Sequence, residues 1–357
     1  MAKRVLLTGA NGLVGQHTLA AFLEAGHFVR SVVRSQSKVA QLSSLFSKYP
    51  ASQMDFGIVP DITAPGAFDS VLKAEPPFDA IVHVASPFNY RKNSTNAEFL
   101  DPAIKGTTEI LKGIVRVAPT VKRVVMTSSM AAVINWTQPK VADPQKVYAE
   151  EDWNPVTWET ATTTELPNTI YQASKKFAEL AAFDFVAKEK PNFDLAVMNP
   201  PMVYGPTYDP SIFTSVTELP ESVYSVYNKT LAAGLSESSP LPPTGLHLYV
   251  DVRDLAQAHL LAATVAQAGG SRYILAAGQG DMSTQRILNI FRATLPGLSG
   301  RIPNGEPEKW ESEKGLFGAS NKKAKEVLGL TFRTPEETMG DMARQLYELE
   351  KRLGSSQ

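Results

Sequence analysis

Val5-Leu6-Leu7, a short buried-strand run, passes directly into Thr8-Gly9-Ala10-Asn11-Gly12-Leu13-Val14-Gly15 and from there into a helix-like segment ending near Glu24. That order leaves few folds open. Of the three glycines, Gly9, Gly12 and Gly15, one permits a tight turn, one lets backbone approach a pyrophosphate, and one allows close packing of helix on strand. The backbone through Asn11, Leu13 and Val14 completes the turn, where free N–H groups at the helix terminus can face an anion. A purely structural turn is the alternative. The position straight after a first strand, in a βαβ context, favours dinucleotide binding.

Apolar, β-branched runs then alternate with helix-like segments through the first two hundred residues. Phe28–Val33, Phe56–Val59, Ala80–Val84, Arg123–Met126 and Leu195–Met198 read as further buried strands, and Leu13–Glu24, Ala67–Lys73, Ala97–Val117 and Tyr171–Lys188 as helices. This alternation implies an α/β fold, a doubly wound parallel sheet of the Rossmann kind, with ligands at the carboxyl ends of the strands. After Asn199 the pattern changes, and prolines from Pro200 to Pro243 permit only short elements. Leu246–Val250, Asp251–Ala266 and Tyr273–Ala276 read as strand, helix and strand returning to the main sheet. The expected division is therefore a dinucleotide-binding domain over 1–200, with 247–280 returning to it. A smaller, mostly C-terminal substrate-binding domain comprises 201–246 and 281–357. Thr334-Pro335-Glu336-Glu337 has the form of a capping box, and the helix it opens repeats Met339, Met342, Leu346, Leu349 and Leu353 along one side.

The 357 residues are 43% hydrophobic and 20% charged, enough to bury a sizeable core. A net charge of −1 offers nothing to nucleic acid or an anionic membrane. Cysteine is absent, which excludes disulfides, thiolate zinc sites and cysteine nucleophiles. The five histidines, His17, His27, His83, His247 and His259, show no metal-ligand spacing, so no metal is expected. His83, inside a strand, reads as a hydrogen-bonded core residue, and Asp251 with Asp254 as caps of a helix. With no apolar signal core and no membrane-length span, a cytoplasmic address is expected.

Enzymes that prefer NAD place an acid roughly 20 residues beyond the glycine turn, on the adenosine ribose. Here no acid occurs between Glu24 and Asp55. The second strand ends instead in Arg34-Ser35, with Lys38 close behind. A guanidinium fork suits a phosphate, so Arg34 with Ser35 or Lys38 is expected to hold the extra phosphate of NADPH. Arg30 sits earlier on the strand and is left out.

Tyr171-Gln172-Ala173-Ser174-Lys175 places a phenol and an ammonium one helical turn apart. A tyrosine beside a fixed positive charge is a stronger acid than a free one, whose pKa is about 10. It can hand a proton to a forming alkoxide. Thr127-Ser128-Ser129 follows the fifth strand, and a hydroxyl there can donate to the same oxygen. Ala178 and Ala182 continue the Tyr171/Lys175 stripe, which permits close packing.

With these motifs the chain resembles an extended short-chain dehydrogenase/reductase, of the branch holding dihydroflavonol reductases and fungal NADPH-dependent aldehyde (methylglyoxal-type carbonyl) reductases. The resemblance runs almost end to end, through His83-Val84-Ala85-Ser86-Pro87, Asn199-Pro200-Pro201-Met202-Val203-Tyr204-Gly205-Pro206 and the block from Tyr249 to His259. It implies that Ser129 is the catalytic serine, Tyr171 the general acid, and Lys175 the holder of the nicotinamide ribose. It further implies that Asp61 and Ile62 contact adenine, that Val84, Ala85 and Ser86 line the adenosine and ribose groove, and that Pro200 and Val203 flank the nicotinamide amide. The segment from Ser129 to Tyr171, with Trp136, Trp153 and Trp158, is longer than in the plant enzymes.

Phe88, Met130, Met202, Tyr204 and Phe213 are the expected substrate pocket. No Arg or Lys cluster stands there to grip a carboxylate or nucleotide diphosphate, so the expected substrate is a neutral, hydrophobic aldehyde or ketone, reduced with NADPH to the alcohol. Two alternatives remain at this point. One is a nucleotide-sugar epimerase or dehydratase retaining NAD; the other is a non-catalytic NADP-sensing regulator, a class that usually lacks the Tyr-x-x-x-Lys pair. A monomer or a homodimer is expected, with no nucleic-acid or membrane partner.

Overall fold

Val5 and Leu7 point to one face of their strand and Leu6 to the other, and all three are fully buried, so the strand is covered on both sides. The structure, a computed structural model, describes residues 2–86, 96–134, 146–278, 280–310 and 317–354. Its elements begin with β1 (Arg4–Thr8), α1 (Leu13–Glu24), β2 (Phe28–Val33), α2 (Gln36–Leu45), β3 (Met54–Ile58), α3 (Asp69–Leu72), β4 (Ala80–His83), α4 (Asn96–Val117) and β5 (Arg123–Thr127). They continue with β6 (Val147–Tyr148), α5 (Trp158–Thr163), α6 (Pro167–Glu189), β7 (Asp194–Asn199), β8 (Met202–Tyr204), α7 (Glu221–Thr230), β9 (Tyr249–Asp251), α8 (Val252–Thr264) and β10 (Ser271–Ile274). Last come α9 (Thr284–Thr294), β11 (Gly318–Ala319), α10 (Lys322–Leu328) and α11 (Pro335–Gly354).

Among the described residues, seven parallel strands pair in the order β3-β2-β1-β4-β5-β7-β10. Strand order reverses between β1 and β4, where Thr8 stands opposite His83. In a doubly wound sheet that switch point opens a crevice at the strands' carboxyl ends. One face of the sheet is covered by Leu19, Phe22 and Leu23 of α1 and by Leu255, Ala258 and Ala262 of α8. The other is covered by Ile110, Leu111 and Ile114 of α4 with Ala182 of α6. A third cluster joins Val223 and Val226 of α7, Leu288 and Phe291 of α9, and Met339, Met342, Leu346 and Leu349 of α11. The capping box closes as expected. Thr334 N–H donates to Glu337 Oε2 at 2.8 Å, and Glu337 N–H to Thr334 Oγ1 at 3.2 Å.

Two departures from the sequence expectations concern the elements around the cofactor crevice. The strand at Tyr249–Asp251 does not rejoin the main sheet; it pairs in parallel with β8 in a separate two-stranded sheet. Its Tyr249 ring is committed to the third cluster, and its hydroxyl donates to the Arg333 carbonyl at 3.0 Å. Of that returning stretch, β10 forms the sheet edge while α8 packs beside β4, β5 and β7. The helix α2 was not expected, because Leu42 is its one fully buried position and no apolar stripe announces it.

Candidate active site

At the switch point the glycine turn has little freedom to be anything else. Gly9 has a φ of 70°, and a Cβ there would stand 2.8 Å from the Ala85 nitrogen. A Cβ on Gly15 would lie 2.0 Å from the Gly9 carbonyl oxygen. Gly12 is exposed and opens α1 with no side-chain cap and no acid in the first turn. The first N–H groups of the helix, around Leu13 and Val14, are thus left unclaimed by side chains, while the Asn11 carbonyl accepts Gln16 Nε2 at 3.1 Å. An open, positive helix end beside a bare glycine fits a pyrophosphate.

Thr8 ties the turn to the end of β4. Its Oγ1 accepts the Ala85 N–H at 3.1 Å and is hydrogen-bonded to His83 Nδ1 at 2.9 Å. Burial holds His83 down to about 4, so it is a neutral core histidine, as its strand position implied. Val84 and Ala85 follow half-buried, and Ser86 is exposed. Arg34 directly follows β2, is exposed, and makes no hydrogen bond or ion pair among the described residues. Lys38 reaches Gln41 at 2.9 Å. Arg30, by contrast, is committed to Asp55 through two bonds of 2.8 and 2.7 Å. Asp61 accepts the side-chain and backbone donors of Thr63, which hold its carboxyl below the usual range, and Ile62 packs on the core beneath α4.

Tyr171 and Lys175 lie on α6, which Pro167 opens at its first turn, and this helix packs against the turn Met130–Ala132. The Ser129 hydroxyl lies beside the Tyr171 phenol, and its Oγ accepts the Ala131 N–H at 3.1 Å. Lys175 Nζ donates to Ser86 Oγ at 3.0 Å and lies 5.8 Å from the Tyr171 ring centre. Burial draws Lys175 down to about 8. The stronger acid expected of Tyr171 is not what this geometry yields. Burial pushes the phenol above its ordinary value, and the Ser129 hydroxyl only partly opposes it.

Ser129 sits where the ends of β5 and β7 are stitched together. Ser128 N–H donates to the Met198 carbonyl at 2.8 Å and Met130 N–H to that of Pro200 at 2.9 Å. Val203, in β8, packs on the first core cluster. Met202 and Phe213 are half-buried against the third cluster, where Tyr204 is only 6% exposed and burial pushes its phenol up to about 12. Met130 departs from the pocket expectation. Its side chain is fully buried among Val133, Ile134, Leu248 and Ile274, so it packs in a core cluster instead of facing an open cleft. Phe88 and Trp136 lie outside the described residues.

Sequence reasoning missed Asn154, which is fully buried and donates to the carbonyls of Ala131 and Ile134 and to Gln172 on α6. It also missed Glu179 on α6, whose only sequence signal is a carboxylate adjoining the buried Ala178/Ala182 stripe. Among the described residues no group of His, Cys, Asp and Glu could hold a metal, and no helix is long and apolar enough to cross a membrane.

Residues 5–278 match the model of the NAD dependent epimerase/dehydratase family. The ketoreductase azaE of Aspergillus niger is similar at 38% identity over 350 residues, covering 98% of each chain. The NADPH-dependent methylglyoxal reductase GRE2 of Saccharomyces cerevisiae is 35% identical over 356 residues, 98% of this chain and 99% of its own. The crystal structure of yeast methylglyoxal/isovaleraldehyde reductase Gre2 complexed with NADPH superposes with a TM-score of 0.86 at 33% identity, covering 98% of this chain and 99% of that one.

Proposed function

Because the chain belongs to the NAD dependent epimerase/dehydratase family, the extended short-chain dehydrogenase/reductases, we propose that it reduces aldehydes and ketones to alcohols with Tyr171 as the general acid. It is an NADPH-dependent carbonyl reductase. The observation that carries the assignment is the placing of Lys175, with Nζ 3.0 Å from Ser86 Oγ and 5.8 Å from the Tyr171 ring centre, on a helix packed against the turn that Ser129 caps.

When bound, NADPH supplies the hydride. The glycine turn, from Gly9 through Asn11, Gly12, Leu13 and Val14 to Gly15, holds the pyrophosphate, and Arg34 with Lys38 the additional phosphate. Asp61 and Ile62 meet the adenine, Val84, Ala85 and Ser86 line the groove, and Pro200 and Val203 border the nicotinamide. Ser129 and Tyr171 aim hydroxyl donors at the carbonyl oxygen, where negative charge develops. The raised pKa of Tyr171 keeps its proton on at neutral pH, so the acid is loaded before the reaction begins. Once that proton is given to the alkoxide, the Lys175 ammonium offsets the charge left on the phenolate. Met202, Tyr204 and Phe213 give the substrate side an apolar character, which supports a neutral, hydrophobic carbonyl compound. Residues 1–200 with α8 and β10 form the cofactor half of this reading, joined by α10, whose Ala324 and Leu328 lie in the first core cluster; 201–246 with the rest of 281–357 form the substrate half. A cytoplasmic monomer or homodimer completes it.

The test is Tyr171→Phe. Loss of a positioned acid costs about a hundredfold to ten-thousandfold in rate, and NADPH affinity should stay near that of the wild type. Retention of most activity in this variant would refute the assignment.

A further inference from the structure

Glu179 lies one helical turn beyond Lys175 and two beyond Tyr171, and its side chain is fully buried. A buried carboxylate is costly unless it is paired and hydrogen-bonded. This one accepts from three elements at once. Its Oε1 takes the Arg272 guanidinium of β10. Its Oε2 takes Ser128 Oγ at 2.5 Å, just past β5, and Asn199 Nδ2 at 2.8 Å, the last residue of β7. Asn199 Nδ2 also reaches the Ser129 carbonyl at 3.2 Å. Arg272 is fixed in turn by the carbonyls of Glu150 and Asp152, each at 2.7 Å, and by the Trp153 ring 3.7 Å from its guanidinium carbon.

As a stabiliser the arrangement is poor. Arg272 Nη2 and Asn199 Oδ1 are buried without a partner among the described residues, and partly satisfied polar networks are worse than apolar packing. What apolar packing would not reproduce is a fixed spacing between the helix face that bears Tyr171 and the strand ends that bear Ser129 and Pro200. We infer that Glu179 is the positioning residue of this site: its carboxylate, held by Arg272, sets the Ser128–Ser129 and Asn199–Pro200 turns against Tyr171 on the same helix. The inference rests on the reading of Tyr171 and Ser129 given above.

The experiment compares full-length wild type, Tyr171→Phe, Glu179→Gln and Ser128→Ala, each with NADPH and a panel of aldehydes and ketones. Glutamine keeps the volume of Glu179 but turns an amide donor toward either Arg272 or the Ser128/Asn199 pair. A misplacement of about 1 Å in such a site costs about a hundredfold. Glu179→Gln should therefore lose about tenfold to a hundredfold in kcat, with the KM for NADPH within about threefold of wild type. The primary isotope effect on transfer of the C4 hydrogen should rise, because the chemical step becomes more limiting. A merely structural role would move neither the kcat-to-KM split nor the isotope effect. Wild-type kcat per folded molecule in Glu179→Gln overturns the inference. Should that variant fail to fold, Ser128→Ala decides, since it removes one donor and leaves the ion pair. A lowered kcat with a raised isotope effect supports the inference there, and an unchanged kcat overturns it. An inert Tyr171→Phe beside a fully active Glu179→Gln overturns the positioning role alone. A wild type that reduces no carbonyl compound overturns the reading beneath it.

Discussion

Arg30 and Arg34 share the parity of one strand, yet only Arg30 is committed, to Asp55. Arg34, one residue past β2, is exposed where a ribose-binding acid would stand in an NAD enzyme. A charged hydrogen bond is worth about 1.5–3 kcal/mol, so Arg34→Ala should raise the KM for NADPH about tenfold or more and leave that for NADH nearly unchanged. Steady-state kinetics with both nucleotides decide it, and equal effects would show that Arg34 is no phosphate clamp. The spacing of Tyr171 and Lys175 was legible because a helix has a fixed period. The direction of the Tyr171 shift was not, since burial depends on what the rest of the chain lays over the ring. Glu179 was hidden for a related reason. Its partners Ser128, Asn199 and Arg272 are brought together only by the strand order.

At the scale of elements, the glycine turn separates into a part the fold needs and a part that faces the crevice. A Cβ on Gly15 would collide with backbone of the same turn, whereas one on Gly12 has only the Gly9 oxygen at 3.6 Å nearby. Overpacking of this kind costs about 1–3 kcal/mol, so Gly15→Ala should lower Tm by several degrees. Gly12→Ala should keep the wild-type Tm and weaken NADPH binding, read by titration, because its methyl projects where the proposed site would hold the pyrophosphate. If both variants lost stability equally, that division would be wrong. Elements with a two-sided apolar run or a clear cap, such as β1 and α11, were readable from the sequence, as was α1 from the glycine turn before it. The helix α2 was not, as only Leu42 is buried on it. Nor was the partner of β9, because a three-residue strand carries no register information and its Tyr249 is claimed by the third cluster.

The whole molecule is tied across its parts by neutral histidines. His83 joins β4 to Thr8 of β1, and His259 of α8 bonds Thr127 of β5 at 2.6 Å and the Leu255 carbonyl at 2.7 Å. His17 of α1 bonds the Pro206 carbonyl at 3.0 Å and meets the Tyr208 ring edge-on. Burial draws all three to about 4. In the unfolded chain each titrates near 6.5. Between those two values the unfolded state binds more protons than the folded one, so stability falls with each step of acidification through that window. At about 1.4 kcal/mol per unit for each ring, the three together are worth on the order of 10 kcal/mol across the window, comparable to the roughly 5–15 kcal/mol that holds a domain folded. Denaturant unfolding at pH 7.5, 6.5, 5.5 and 4.5 should show a small loss between the first two and a steeper decline below. The decline should be shallower in His259→Gln once its lower starting stability is subtracted. Equal stability from pH 7.5 to 4.5 would mean that these rings accept protons in place, and that burial does not hold them neutral.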